Sequence, residues 1–339
     1  MRKRVLLPLA TLAAAVVVSA VGALFAWNSL NTPLDIPEGR SRFEITSGMP
    51  LRQVTALLKE RRLLDHDWIL AAYGRLTGDA TRIRAGEYEL ATGITPLELL
   101  HKLVAGQVYL HQLTIVEGWR FSDLLTAVRM HPAIAAGTLD GEAIMTALGE
   151  PGLHPEGQFF PDTYKFPHGT TDLDLLRQAH RALVERLSIA WDNRSADSIL
   201  KTPYDALILA SIIEKETALA SERKLISGVF HERLRRNMRL QTDPTVIYGI
   251  GEAYDGNIRR QDLERDTPYN TYTRLGLPPT PIALPGAGSL EAAVSPELTG
   301  AVYFVATGRS DGSHYFSATL EEHERRVGEY LRQLRSRGP

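Results

Sequence analysis

Cysteine is absent from this 339-residue chain, which removes disulfides, thiolate metal sites and a cysteine nucleophile from consideration. An excess of either charge is lacking too. With 38 Lys and Arg against 40 Asp and Glu, the formal net charge is −2, so no global basic surface advertises nucleic acid and no acidic excess advertises a solvating tail. Several catalytic signatures are also missing. The glycines of "YGIGEAYDG" (248–256) have neither the lysine nor the strand context of a phosphate loop, and no HExxH helix occurs. No GxSxG elbow supports a serine nucleophile. The ten histidines are scattered, and without thiolates they offer no structural zinc site.

What is present is a foldable composition, 44% hydrophobic and 23% charged, over a length that suits two or three domains. At the amino terminus "MRKR" places three cations ahead of Val5–Trp27, a run of 23 residues without a charge. As a helix it would span about 34 Å, enough for the roughly 30 Å hydrocarbon core of a bilayer. The cations would keep residues 1–4 cytoplasmic and place the bulk of the chain on the far side. The run exceeds the roughly 7–15 apolar residues of a signal-peptide core, which favours an uncleaved anchor over a cleaved leader. A polar tether occupies residues 28–41.

Three segments then align on a glycine: 43–58, 88–103 and 113–128. Before each glycine, apolar residues alternate as in a strand: Phe43 and Ile45, Tyr88 and Leu90, Leu113 and Ile115. After Gly48, Gly93 and Gly118 the apolar positions recur at helical spacing: Val54 and Leu58, Leu99 and Leu103, Leu124 and Val128. Each unit therefore predicts a strand, a glycine turn and an amphipathic helix. Units of this kind either bind sugar polymers or simply position the rest of the chain.

Beyond residue 157 longer helices take over. Residues 170–191 predict a helix with Leu173, Leu175, Leu176, Ala179, Leu183 and Leu187 near one side. Thr202, Pro203 and Asp205 read as the N-cap, first position and capping-box acid of another, whose apolar run continues through "ALILASIIEKETALASER" (206–223). Two glutamates interrupt that run. At about 100° per residue, Glu214 and Glu216 are about 200° apart and cannot act as an acid/base pair. Glu216 shares a face with Leu209, Ile212, Ile213 and Ala220, whereas Glu214 shares the small, polar side with Ser211, Thr217, Ala218 and Ser221. A carboxyl in a core position is either half of a buried ion pair or an acid whose pKa is raised for proton transfer near neutral pH. Glu214 reads as a solvated, cap-supporting or helix-ordering residue.

Polar and aromatic loops recur around these glutamates, at 157–166, 239–251, 267–290 and 303–324. Tyrosine faces, amides and hydroxyls are what a carbohydrate groove uses.

In "ASIIEKETALASER", "MRLQTDPTVIYGIG", "YNTYTRLGLPPTPIALPGAGSLEAA" and "YFVATG…HYFSATLEEHE", and weakly in "GQFFPDTYKF", the chain resembles the endolytic murein transglycosylases, the YceG-like proteins. The resemblance spans essentially the whole chain. It implies an α+β fold with one amino-terminal transmembrane helix (5–27), a small LysM-like module (42–110) and a larger mixed α/β catalytic domain (111–339). It further implies a lyase of the bacterial inner membrane whose bulk lies in the periplasm, cleaving nascent peptidoglycan strands internally to end their elongation. No metal or other cofactor is called for. The implied partners are glycan strands, the membrane and peptidoglycan synthases, not nucleic acid. The catalytic glutamate of the family falls on Glu216, the residue that the helical wheel also selects. Gln241, Tyr269, Asn270 and Tyr272 are candidates for holding sugar; Glu214, Thr217 and Ser221 are candidates for ordering the helix around the acid. Where the family's pattern has "HN" near the carboxyl terminus, this chain has His323 followed by Glu324. A hydrolytic muramidase would need a second carboxylate, for which Asp243 and Glu252 are available, and a glycan-binding scaffold would need no acid.

Overall fold

The computed structural model of the chain describes residues 3–36 and 41–336. Met1 and Arg2 of the expected cytoplasmic segment, and residues 37–40 of the expected tether, lie outside them. The amino-terminal run forms helix α1 (Lys3–Asn31), in which residues 11–25 are exposed. Its stretch Thr11–Asn31, with a mean hydropathy of 1.8, is long and apolar enough to cross a membrane.

The chain divides into two compact units, residues 1–111 with 166–169, and 112–165 with 170–339. The first unit contains β1 (Arg42–Ile45), α2 (Leu51–Glu60), α3 (Asp67–Thr77), β2 (Gly86–Glu89) and α4 (Pro96–Ala105). The two strands pair antiparallel, Phe43 opposite Tyr88 and Arg42 opposite Glu89. Alternation along the strands sends Phe43, Ile45 and Tyr88 into the core, while Arg42 and Glu89 form an ion pair at 3.0 Å. Each strand reaches its helix through a glycine, Gly48 at φ +81° and Gly93 at φ +82°, a conformation that would cost a residue with a Cβ about 1 kcal/mol or more. The helices then bury Val54, Leu58, Leu99 and Leu103, the positions that the spacing after each glycine predicts. Thr95 and Glu98 close a capping box around Pro96 at the start of α4.

The third repeat has the same form. β3 (Leu110–Thr114), within which the division falls, leads through Gly118 at φ +78° to α5 (Phe121–Met130), which buries Leu124 and Val128. The chain continues with β4 (Ile134–Ala135), α6 (Gly141–Leu148), β5 (Thr163–Pro167), whose last two residues belong to the first unit, β6 (Thr170–Thr171) and α7 (Asp172–Asp192). After these come α8 (Pro203–Glu216), α9 (Arg223–Arg235), α10 (Asp243–Ile250), α11 (Arg260–Glu264), α12 (Ala287–Val294), β7 (Tyr303–Ala306), β8 (His314–Ser317) and α13 (Leu320–Ser336). β3 pairs with β5, β4 runs parallel to β6, and β7 and β8 form an antiparallel hairpin. The architecture is mixed α/β.

Helix α8 forms the centre of this unit. Every residue from Ala206 to Ile213 is buried, and the helix packs against α7, α9, α10 and α12. A helix that is covered on all sides carries no polar face. The one hydroxyl in that stretch, Ser211, is absorbed locally: its Oγ donates to Ile208 O at 2.7 Å and accepts from Ile282 N at 3.0 Å. The start of α8 follows its sequence signal, since Thr202 and Asp205 form a capping box with Pro203 in the first turn.

Its end does not. The apolar run predicts a helix through residue 223, yet α8 stops at Glu216. Thr217 takes an extended backbone (φ −145°, ψ 137°) and its Oγ1 accepts from Leu219 N at 3.0 Å. A side chain that bonds the backbone two residues on competes with helix continuation. Residues 220–222 form a separate 3₁₀ turn, so Ala220 and Ser221 do not extend the face that bears Glu216.

Two glycines test the packing in opposite directions. Gly228 in α9 faces the backbone of Glu297, whose carbonyl oxygen would lie 2.0 Å from an added Cβ. Gly228→Ala should destabilise the protein by about 1–3 kcal/mol, whereas Gly328→Ala in α13, where a Cβ meets nothing within 4 Å, should stabilise it by about 0.5–1 kcal/mol. Urea unfolding of the full chain in detergent measures both, and equal effects of the two substitutions would contradict this packing.

Candidate active site

Because α8 is apolar on all sides, its last turn brings two carboxyl groups out of the core into different surroundings. Glu214, with only 6% of its side chain exposed, accepts a hydrogen bond from Gly286 N at 3.0 Å and faces the Arg223 guanidinium at 3.7 Å. It therefore ties α8 to the N-cap of α12 and to the start of α9, and the solvated reading of this residue does not hold. Thr217 ends the helix through its bond to Leu219 N. Ser221 is exposed on the 3₁₀ turn.

Glu216 is half-buried, and its Oε1 accepts a hydrogen bond from the Thr242 hydroxyl. That hydroxyl is held in place by a cluster of buried threonines. Thr242 N donates to Thr271 Oγ1 at 3.1 Å, the Thr245 and Thr271 hydroxyls are 2.9 Å apart, and Thr245 Oγ1 donates to Thr242 O at 2.8 Å. Burial pushes the Glu216 carboxyl up to about 7; the Thr242 bond lowers it, the Asp243 charge raises it and the Arg233 charge lowers it again. A carboxyl poised there can both give and take a proton at neutral pH.

Glu216 opens onto a cleft of about 400 Å³. Arg233 from α9 forms part of its lining. Its Nε donates to Val302 O at 2.6 Å and its Nη1 to Leu240 O at 2.8 Å and to Gln241 Oε1 at 3.2 Å, so the cation is fixed in place. Gln241 also lines the cleft and has φ +52°. Such a backbone costs a non-glycine residue of order 1–3 kcal/mol and collects at functional sites. Here Gln241 N is anchored by Thr271 O at 3.1 Å. Asp243 and Tyr272 are joined by a 2.6 Å bond from the tyrosine hydroxyl to Oδ1, and both border the cleft. Burial raises the phenol pKa of Tyr272, so this hydroxyl keeps its proton. Tyr303 and Phe304 of β7, with Leu320 and His323 of α13, contribute the apolar and aromatic surface.

Of the four predicted sugar contacts, Gln241 and Tyr272 border the cleft, and Tyr269 and Asn270 do not. Asn270 is 1% exposed. Its Nδ2 donates to the carbonyls of Asp262, Leu263 and Arg265, and its Oδ1 accepts from Tyr272 N. It staples the loop that presents Tyr272 and has no capacity left for sugar. The Tyr269 hydroxyl pairs with that of Thr280 at 2.8 Å and its ring packs edge-on against Tyr248. Of the two spare carboxylates, Asp243 is in the cleft, while Glu252 is exposed on a 3₁₀ turn that does not border it. Glu324 is exposed beside His323 and likewise lies outside the lining. Sequence reasoning missed Thr242, Arg233 and Tyr303. Thr242 reads as a cap before Asp-Pro, and Arg233 is one of four arginines within "ERLRRNMR" (232–239).

A profile of the YceG-like family matches residues 43–329. A Bacillus subtilis protein named endolytic murein transglycosylase is 30% identical over 91% of this chain and 90% of its own length. A Streptococcus pneumoniae protein of the same name is 26% identical over 92% of this chain, which spans 63% of that longer relative. The crystal structure of a YceG-like protein from Listeria monocytogenes aligns with a TM-score of 0.54 at 30% identity, covering 84% of this chain and 98% of that one. The chain belongs to the YceG-like family, the family of the endolytic murein transglycosylases.

Proposed function

We propose that this protein is a lytic transglycosylase that cuts murein glycan strands internally with Glu216 as its single acid/base. The observation that carries this reading is the Glu216 carboxyl itself, half-buried at the end of α8, bonded to Thr242, beside the fixed charge of Arg233 and open to a cleft with aromatic walls. The names of the relatives support murein as substrate.

In this mechanism the protonated Glu216 gives its proton to the glycosidic oxygen between N-acetylmuramic acid and N-acetylglucosamine as that bond breaks. The resulting carboxylate takes the proton of the muramic C6 hydroxyl while its oxygen bonds to C1. The product is a 1,6-anhydro end, no water is consumed, and Glu216 is protonated again. Arg233 stabilises the carboxylate between the two steps. Gln241 and Tyr272 hold sugar, and the threonine cluster keeps the Glu216 oxygen aimed. The first unit, with its strand–glycine–helix repeats, is a LysM-like glycan-holding module. The helix α1 anchors the chain in the inner membrane with its bulk in the periplasm, where cutting nascent strands beside the synthases ends their elongation.

One feature favours a second reading. Asp243 shares the cleft with Glu216, and two carboxylates could support hydrolysis by a muramidase. The products discriminate. Digestion of murein strands by the full chain in detergent should yield ends one water lighter than hydrolysis products, and Glu216→Gln should lower the rate at least about a hundredfold. Water-added ends in the mass spectrum would make the enzyme a muramidase; glycan bound but uncut by the wild type would make it a scaffold.

The pH profile provides an independent check. Glu216 acts first in its protonated form, so kcat/KM should be level below its pKa of about 7 and fall about tenfold per unit above it. The Thr242 bond favours the charged carboxylate. Thr242→Val should therefore move the alkaline limb to higher pH, and an unmoved or lowered limb would separate Thr242 from the acid.

A further inference from the structure

His323 belongs to the cleft but has no part in the proton transfers. It sits in the first turn of α13, where its backbone N–H is held by Thr319 O at 3.1 Å. Its imidazole stacks on Tyr303, with ring centroids 5.0 Å apart and planes 19° from parallel. That contact fixes the ring on the cleft wall. Its Nδ1 is sealed from solvent with no hydrogen-bond partner, and the residue lines the cleft, so Nε2 is the nitrogen left to meet a ligand. An N–H buried without an acceptor costs about 1–3 kcal/mol. Nδ1 is left unsatisfied in either tautomer; with the proton on Nε2 the ring presents a donor to the cleft.

Burial and the charge of Arg233 both lower the pKa of this imidazole, against a smaller opposing effect of Glu324, so the ring is neutral at pH 7. A neutral N–H can donate to a carbonyl or to a carboxylate. The lactyl carboxylate of muramic acid is better matched by the Arg233 guanidinium on the same cleft. The strong neutral acceptor that recurs on both murein sugars is the carbonyl oxygen of the 2-acetamido group, and its methyl group needs an apolar surface. Phe304 and Leu320 supply one in the same lining.

We propose that His323 is a substrate-contacting specificity residue, its Nε2–H donating to the 2-acetamido carbonyl of the sugar bound beside Glu216 while the acetyl methyl packs against Phe304 and Leu320. This rests on the murein-cleaving reading of the site.

The test compares kcat/KM of the full chain in detergent on N-acetylated murein glycan and on the same glycan after chemical de-N-acetylation. The wild type should prefer the acetylated strand. His323→Phe keeps an aromatic ring for Tyr303 but lacks the donor, and should reduce the acetylated-to-deacetylated ratio roughly tenfold. His323→Gln, which restores an amide N–H, should retain most of the preference. Should His323→Phe melt well below the wild type, His323→Leu carries the same comparison. A preference that survives in the donor-less variants, is lost equally in His323→Gln, or is absent from the wild type overturns the assignment. A wild type that cuts neither glycan instead removes the murein reading, and this inference with it.

Discussion

The site depends on one hydrogen bond, from the Thr242 hydroxyl to the carboxyl of Glu216 at the exit of the buried helix. A carboxyl carried there by an all-apolar helix is stripped of much of its water, which favours the protonated form. A full ion pair would reverse that effect and leave a carboxylate that is a weak base and holds no proton to give near neutrality. A single hydroxyl is a milder partner. It orients one oxygen and stabilises the charged form enough for the proton to leave, without holding the group permanently ionised.

The neighbouring glutamate demonstrates the alternative. Glu214 is two residues earlier on the same helix, yet it meets Arg223 and the backbone N–H at the N-cap of α12. Its negative charge is matched, and it serves to lock helices together. The same residue type thus does structural work on one side of α8 and, on the other, opens onto the cleft in the place of the proposed acid. Arg233 marks the boundary between the two regimes. Its guanidinium contributes a positive charge near Glu216, but three backbone carbonyls and the Gln241 amide oxygen hold its Nε and Nη1, and none of these bonds goes to Glu216. The cation therefore influences Glu216 at a distance instead of neutralising it.

The rest of the unit holds these groups in register. The threonines at 242, 245 and 271 bond to one another, so the segment after α9 and the loop after α11 move together. Asn270 spends its amide on three carbonyls at the end of α11, which fixes the loop that presents Tyr272 to Asp243. The strained backbone of Gln241 is where this register is stored, a local cost that the buried network around it sustains. A cleft built this way is pre-organised, and a ligand entering it meets groups already in place.

Much of the local structure was determined by the sequence alone. Glycine turns, capping boxes and the 3.6-residue period involve residues within about four positions of one another, so their signals are complete in a short stretch. Hence the three strand–glycine–helix repeats, the start of α8 at Thr202 and the membrane-length α1 were legible, and so was the partial burial of Glu216, because a carboxylate in an apolar run is conspicuous wherever the chain then goes. The end of α8 was not legible, since Thr217 can either continue a helix or turn its hydroxyl onto the backbone. Nor could sequence separate Gln241 and Tyr272, which reach the cleft, from Asn270 and Tyr269, which are consumed by the scaffold. All four are polar or aromatic residues in similar loops. Only the tertiary structure decided that Glu216 meets a hydroxyl 26 positions away while Glu214 meets an arginine. Burial and the identity of a partner are properties of segments brought together by packing, and it is these that set a carboxyl's pKa.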